Sequence, residues 1–210
     1  MTVQLGLDLQ NLDPLSPRYL VIHSGIIKAL ETVRVAIGQT ELNPELFFCF
    51  SLIGEKGSGK THLLRTLKAE SQKSEKVNFE EFDFSSEDEQ KISAYISAYE
   101  RAKTSGGIVI VAIDTTPDQL TNPHLRSRVL AGQTLTLEKP KESELREILT
   151  SLLERGNFNL SEKALSYIIS RVPASPLSFA VISDKLQEVF REQGKTAKLS
   201  VVKDLLNSKN

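Results

Sequence analysis

The chain has 210 residues and a formal net charge of −1, with 40% hydrophobic and 25% charged residues. This composition is typical of a globular protein, and it argues against a protein that coats nucleic acid through its overall charge. The single cysteine, Cys49, excludes an internal disulfide framework and a cysteine-rich zinc site. No apolar stretch is long enough to span a membrane and no leader opens the chain, so we expect no membrane partner and a cytoplasmic location.

Residues 1–18 are predicted to be an extended N-terminal arm outside the core. Leucines alternate in the segment QLGLDL, and a proline-containing turn region follows it. From the residues alone two interpretations stay open, an edge strand or frayed terminus, or a peptide that docks its leucines into the pockets of a partner. In the second interpretation the docking residues are Gln4, Leu5, Leu7 and Leu9.

From residue 19 to residue 138, patterns typical of strands and helices alternate. The segment IVIVAI is typical of a buried parallel strand. In the segment VNFEEFDF the alternation of apolar and polar residues breaks at Glu80 and Glu81, which predicts a bulge or bend there. The predicted strands are 46–53, 77–84, 108–113 and 135–137, and the predicted helices are 24–37 (ended by Gly38), 60–71 and 86–103.

Residues 139–210 contain four helical patterns and no strand. Alternating βα units followed by helices predict an α/β fold, with a parallel sheet flanked by helices and a small, all-helical C-terminal lid domain. The expected organisation is therefore an arm (1–18), an α/β domain (19–138) and a helical lid (139–210).

The strongest functional signal is a phosphate-binding loop. It follows the strand at 46–53 and opens a helix, and it fits the pattern G-x-x-x-x-G-K-[ST] without a mismatch. Its glycines let backbone N–H groups point at phosphate oxygens, its lysine reaches the β- and γ-phosphates, and its threonine offers a hydroxyl to Mg²⁺. The predicted nucleotide-binding residues are Gly54, Glu55, Lys56, Gly57, Ser58, Gly59, Lys60, Thr61 and His62.

His62 invites a catalytic interpretation, but its position inside the helix favours a packing role.

Several segments together resemble a known family. The stretch GKTHLL at 59–64, the strand 108–113 with Asp114 behind it, and the segment LRSR at 125–128 resemble the DnaA/Hda family of AAA+ proteins. The resemblance runs from about Tyr19 to the C-terminus and implies an AAA+-like domain with ADP or ATP and Mg²⁺ as ligands, and it gives Asp114 the role of a sensor residue.

Within this family the chain is most similar to Hda, the regulators that inactivate the initiator DnaA. The helix-turn-helix domain of DnaA is missing from the sequence, so we expect no direct sequence-specific DNA binding. The segment QLGLDL resembles the short peptide through which Hda binds the β sliding clamp. The resemblance therefore implies the clamp and a DnaA-type initiator as partners, and it leaves self-association open.

The family's arginine finger, which acts in trans on ATP held by a neighbouring subunit, corresponds to Arg128. The alternative from the residues alone is that Arg126 and Arg128 form ion pairs on a surface turn.

Three departures from the family weaken the expectation of hydrolysis. No apolar strand ends in paired acids, so we predict that the acids of the Walker B strand are lost, with Asp83 as the alternative metal-side substitute. Ile113 stands where a small hydroxyl residue is expected, and Leu177 stands at the position of the lid arginine. We expect nucleotide binding with little or no intrinsic hydrolysis. A P-loop ATPase of the helicase-loader type and a nucleotide-independent scaffold are the competing hypotheses.

Overall fold

The computed structural model describes residues 17, 20–84, 88–155, 160–173, 175–193 and 199–207. Gln4, Leu5, Leu7 and Leu9 lie outside these residues. The chain divides into two compact units, one of residues 24–139 and one that joins residues 20–23 to the chain from Pro140 onward. None of the described helices is long and apolar enough to cross a bilayer. The elements are α1 (Ser24–Leu42), β1 (Phe47–Ile53), α2 (Lys60–Ser71), β2 (Phe79–Phe84), α3 (Glu89–Ser105), β3 (Gly107–Ile113), α4 (Pro123–Ala131), β4 (Gln133–Thr136), α5 (Glu142–Arg155), α6 (Glu162–Arg171), α7 (Pro176–Gln193) and α8 (Leu199–Asn207).

The first unit is built on a parallel sheet of four strands in the order β2-β3-β1-β4. The central strands β1 and β3 pair from Phe47 opposite Gly107 to Ile53 opposite Ile113. Every residue of β3 is buried, as expected for an apolar strand with covered faces. The predicted fold class, an α/β fold with helices flanking a parallel sheet, is confirmed.

Helices cover both faces of the sheet. On one face α3 and α4 pack on a core that includes Val109, Val111 and the fully buried Tyr95. On the other face α1 contacts β1, β3 and β4, and α2 contacts β2 and β3. Burial raises the pKa of the Cys49 thiol, whose sulfur lies 3.8 Å from the Tyr95 hydroxyl. Cys49 is therefore a packing residue, as its apolar neighbours predict.

Two local predictions are wrong. Helix α1 does not end at Gly38 but continues to Leu42, because the last turns bury Thr40, whose hydroxyl donates to the carbonyl of Ala36 at 2.9 Å. Strand β2 has no bulge, since its register with β3 advances residue by residue from one end to the other. The alternation is lost in the sequence because Glu80 and Glu81 both carry charge while pointing to opposite faces.

The second unit has its own apolar core. Helix α5 contacts α6 and α7, and α6 contacts α8. On the exposed side of these helices, Arg146 of α5 forms an ion pair with Glu162 of α6. The described residues of this core that are fully buried are Leu149, Ala164, Ile168, Phe179, Ile182, Leu186 and Val202.

The turn between α3 and β3 depends on a glycine. Gly106 ends α3 with a φ of 81°, in the region that side chains rarely adopt. A β-carbon at this position would lie 1.9 Å from the carbonyl oxygen of Pro44. Both the backbone conformation and the lack of space therefore require glycine here.

We predict that Gly106→Ala lowers the free energy of unfolding by about 2–4 kcal/mol, from the combined cost of the clash and the left-handed backbone. Gly38→Ala is the matched control, since a β-carbon at Gly38 meets nothing within 4 Å. The control is expected to gain about 0.5–1 kcal/mol because alanine favours the helix. Urea denaturation followed by circular dichroism measures both changes, and equal stability of the two variants would contradict the prediction.

Candidate functional site

The site lies at the carboxyl end of the sheet, where three strands end side by side. Ile53 of β1 is opposite Ile113 of β3, and Ile113 is opposite Phe84 of β2. The phosphate loop leaves β1 directly after this row. Parallel pairing therefore brings Asp83 and Asp114, which are 31 positions apart in the numbering, to the edge where the loop begins.

The loop passes close to the chain that follows β4. The N–H of Leu137 donates to the carbonyl of Ile53 at 2.7 Å, which fixes the two segments together. A β-carbon at Gly54 would lie 2.5 Å from the carbonyl oxygen of Leu137. The first glycine of the motif is thus required by packing within the protein.

The other loop glycines turn the backbone into the start of α2. Gly57 and Gly59 have φ values of 86° and 93°. Gly59 caps a helix of 12 residues and supplies no side-chain hydrogen bond to it. The first-turn N–H groups of an α-helix lack acceptors within the helix, and the helix dipole favours an anion there. The loop therefore presents donors rather than acceptors at this end.

Lys60 is buried, with 6% of its surface exposed. Its ammonium donates to the carbonyl oxygens of Gly54 at 2.5 Å and Glu55 at 2.9 Å, and it forms an ion pair with Asp114 at 3.0 Å. These three contacts account for the three donors of a lysine. The predicted sensor residue, Asp114, is thus a direct partner of the loop lysine.

Thr61 and Asp83 meet although they lie on different elements. The Thr61 hydroxyl donates to a carboxylate oxygen of Asp83 at 2.6 Å. Hydroxyl and carboxylate oxygens are ligands that Mg²⁺ accepts, and protein sites for nucleotide-bound Mg²⁺ supply only one or two of them. The described residues contain no cluster of three or more acidic, histidine or cysteine side chains that could hold a metal alone. The donor set fits a Mg²⁺ shared with phosphates.

A second lysine lies over the loop. Lys139 donates to the Glu55 carboxylate at 2.9 Å, and this hydrogen bond lowers the pKa of that carboxyl. The side chain also passes 3.9 Å from the place of a β-carbon on Gly57. Sequence reasoning missed Lys139, since no local pattern links it to a loop 84 residues earlier. The side chains of Lys139 and Glu55 are both exposed, and so is that of Lys56.

Two further loop residues are buried. His62 is 9% exposed, which favours its predicted packing role. Ser58 is 2% exposed, and its hydroxyl has no hydrogen-bond partner among the described residues. An orphaned hydroxyl is costly inside a protein, so it marks a place where a polar group fits. Together with the buried lysine and with a helix start that has no side-chain cap, it shows that the residues present fit a phosphate group.

The structure does not bring Arg128 to the phosphate loop. It lies in the last turn of α4 and its guanidinium contacts Glu100 and Tyr99 of α3. Leu177 lies in α7 of the second unit and supplies no charge.

Solved structures share this architecture. Domain III of the replication initiation protein DnaA from Thermotoga maritima superposes with a TM-score of 0.64 and 18% identity, over 93% of this chain and 96% of that chain. DnaA from Aquifex aeolicus bound to AMPPCP gives 0.63 and 17%, over 90% of this chain and 67% of that chain.

The RuvB Holliday junction branch migration motor of T. maritima gives a TM-score of 0.56 and 16% identity, over 88% of this chain and 70% of that chain. The chain therefore shares the fold of DnaA domain III and of RuvB. No protein-family model and no curated protein matches the sequence. The identities are below 20%, so these likenesses show the fold and leave the activity to the chemistry of the site.

We predict that Ser58→Ala raises the free energy of unfolding in the absence of nucleotide by about 1 kcal/mol, because it removes a buried hydroxyl without a partner. The matched control is Ser51→Ala. Ser51 is also buried, but its hydroxyl donates to the carbonyl of Val129 at 3.1 Å. The control is expected to lose about 1 kcal/mol. Chemical denaturation of both variants checks the opposite signs, and a loss of stability in Ser58→Ala would contradict the prediction.

Proposed function

We propose that this chain binds ADP or ATP together with Mg²⁺ at the loop of residues 54–61. The observation that carries this proposal is the meeting of Thr61 with Asp83 beside the buried Lys60. The first-turn N–H groups of α2 and the Lys60 ammonium would hold phosphate oxygens. Thr61 and Asp83 would hold the metal, which supplies positive charge to the phosphates. Asp83 then takes the metal-side role that the sequence left as the alternative.

Hydrolysis needs a further acid that activates water, and the other described aspartate at this edge, Asp114, is already paired with Lys60. The next residue, Phe84, is 5% exposed and its ring packs edge-on to Tyr95 at 5.9 Å. Ile113, which precedes Asp114, is also buried and apolar. A general base has to lie within hydrogen-bond reach of the water it deprotonates. In this proposal the site therefore holds a nucleotide and cleaves it slowly or not at all.

We further propose that the chain is an Hda-like regulator of replication initiation in the cytoplasm. Its support is the DnaA-like fold together with the resemblance of the arm and of the LRSR segment to Hda. In this role Gln4, Leu5, Leu7 and Leu9 bind the β sliding clamp. Arg128 then reaches ATP held by a DnaA-type initiator, and hydrolysis takes place in that partner.

A second candidate has one observation in its favour. The contact of Thr61 with Asp83 also suits a working P-loop ATPase of the helicase-loader type. The nucleotide-independent scaffold gains nothing from the structure, because the Ser58 hydroxyl without a partner and the start of α2 without a side-chain cap both suit a phosphate.

We predict that Lys60→Ala weakens nucleotide binding about 10- to 100-fold, because charge-assisted hydrogen bonds to phosphate are lost. Lys73→Ala is the matched control, an exposed lysine beyond the C-terminal end of α2 whose loss is expected to change affinity less than about threefold. Asp83→Asn is expected to remove most of the Mg²⁺ dependence. Isothermal titration with ADP and ATP, with and without Mg²⁺, measures these effects.

Single-turnover hydrolysis by the purified chain separates the two candidates. We expect no turnover above that of Lys60→Ala. Turnover at the rate of ordinary P-loop ATPases that Lys60→Ala abolishes would establish the ATPase candidate. Absence of any nucleotide binding would establish the scaffold.

We predict that Leu7→Ala with Leu9→Ala weakens clamp binding at least tenfold, since each buried leucine contributes roughly 1.5–3 kcal/mol. Leu42→Ala is the control, because Leu42 is 89% exposed at the end of α1 and lies outside the arm. Surface plasmon resonance on immobilised clamp measures both variants. Equal binding by the double variant and the wild type would remove the clamp from the proposed function.

A further inference from the structure

Arg128 is tied to its own chain by three groups. Its Nε and Nη2 donate to one carboxylate oxygen of Glu100 at 3.0 and 2.5 Å, and its Nη1 donates to the carbonyl of His124 at 3.1 Å. The guanidinium carbon lies 5.6 Å from the centre of the Tyr99 ring. Only 21% of the Arg128 side chain is exposed. A guanidinium in this position faces α3 and has little surface to offer another molecule.

The neighbouring arginine of α4 behaves differently. Arg126 is exposed, and its guanidinium forms no hydrogen bond or ion pair with the described residues. Two residues of separation place the two side chains on roughly opposite sides of a helix. The restraint on Arg128 is therefore specific to the surface it shares with α3, where Glu100 and Tyr99 are adjacent in sequence.

We propose that Glu100 is a latch. It stores Arg128 against α3, and Arg128 reaches the phosphates of a partner's ATP only after it leaves Glu100. This inference rests on the proposed role of Arg128 as an arginine finger and adds its regulation. Glu100 is 52% exposed, so an approaching surface can reach it. The polyphosphate of the partner is a stronger anion than one carboxylate, and it competes with Glu100 for the same donors.

A latch and a supporting residue predict opposite effects of Glu100→Gln on the stimulation of ATP hydrolysis. If Glu100 merely oriented the finger for catalysis, Glu100→Gln would lower the activity. If Glu100 holds Arg128 back, the same substitution releases Arg128 and raises the activity. Because Glu100 is 52% exposed, its ion pair with Arg128 is weak. The loss of this pair is therefore expected to increase activity only about threefold to fivefold.

The test is single-turnover hydrolysis of ATP bound to the DnaA-type initiator of the same organism, with clamp-loaded DNA and a subsaturating amount of this chain. We expect Arg128→Ala to reduce stimulation to background and Glu100→Gln to raise it about threefold to fivefold. Glu80→Gln is the matched control, because it breaks the other ion pair of α3, to Arg101, at 2.9 Å. Arg126→Ala removes the same charge from α4. Both controls are expected to match the wild type.

A second measurement needs no partner. The Nε–H resonance of Arg128 in ¹⁵N-labelled protein is expected to exchange slowly with water in the wild type and quickly in Glu100→Gln. If Arg128→Ala loses stimulation and Glu100→Gln does not gain it, the latch is overturned and the proposed function stands. If the wild type does not stimulate hydrolysis, or Arg126→Ala alone abolishes it, the role of Arg128 is overturned and the latch with it.

Discussion

β1 and β3 pair in parallel over seven residues, and every residue of β3 is buried. This pairing places the ends of the two strands side by side, and it holds the phosphate loop next to Asp114. The chain that follows β4 adds to it, because the N–H of Leu137 donates to the carbonyl of Ile53 and Leu137 lies against Gly54. The edge of the sheet thus fixes the loop from both sides. Gly54 is required by contacts with protein atoms, whether or not a ligand is bound.

Sequence reasoning reached the features that are local. The phosphate loop, the all-buried strand β3 and the parallel α/β fold each follow from consecutive residues whose spacing has a physical meaning. It did not reach the contact of Thr61 with Asp83, because β2 carries the acids of an edge strand rather than the apolar run that usually announces such a site. The pairs of Lys139 with Glu55 and Arg128 with Glu100 join distant segments, and no local pattern could reveal them.

Three carboxylates do similar work in different places. Asp114 holds Lys60, Asp83 holds the hydroxyl of Thr61, and Glu100 holds Arg128. The side chains of Lys60, Thr61 and Arg128 therefore already have polar partners within the chain. Binding replaces one set of polar contacts with another, so its net free energy is smaller than the number of new hydrogen bonds suggests.

The position of β2 at the edge of the sheet has a consequence for how the protein behaves at high concentration. Its outer side carries no neighbouring strand within the described residues, and an unpaired edge is a template for pairing with another chain. Three of its six residues are acidic, namely Glu80, Glu81 and Asp83. Two such strands that met edge to edge would set like charges against each other. Glu80 and Asp83, which contact Arg101 of α3 and Thr61 of α2, therefore also disfavour edge-to-edge pairing of two copies.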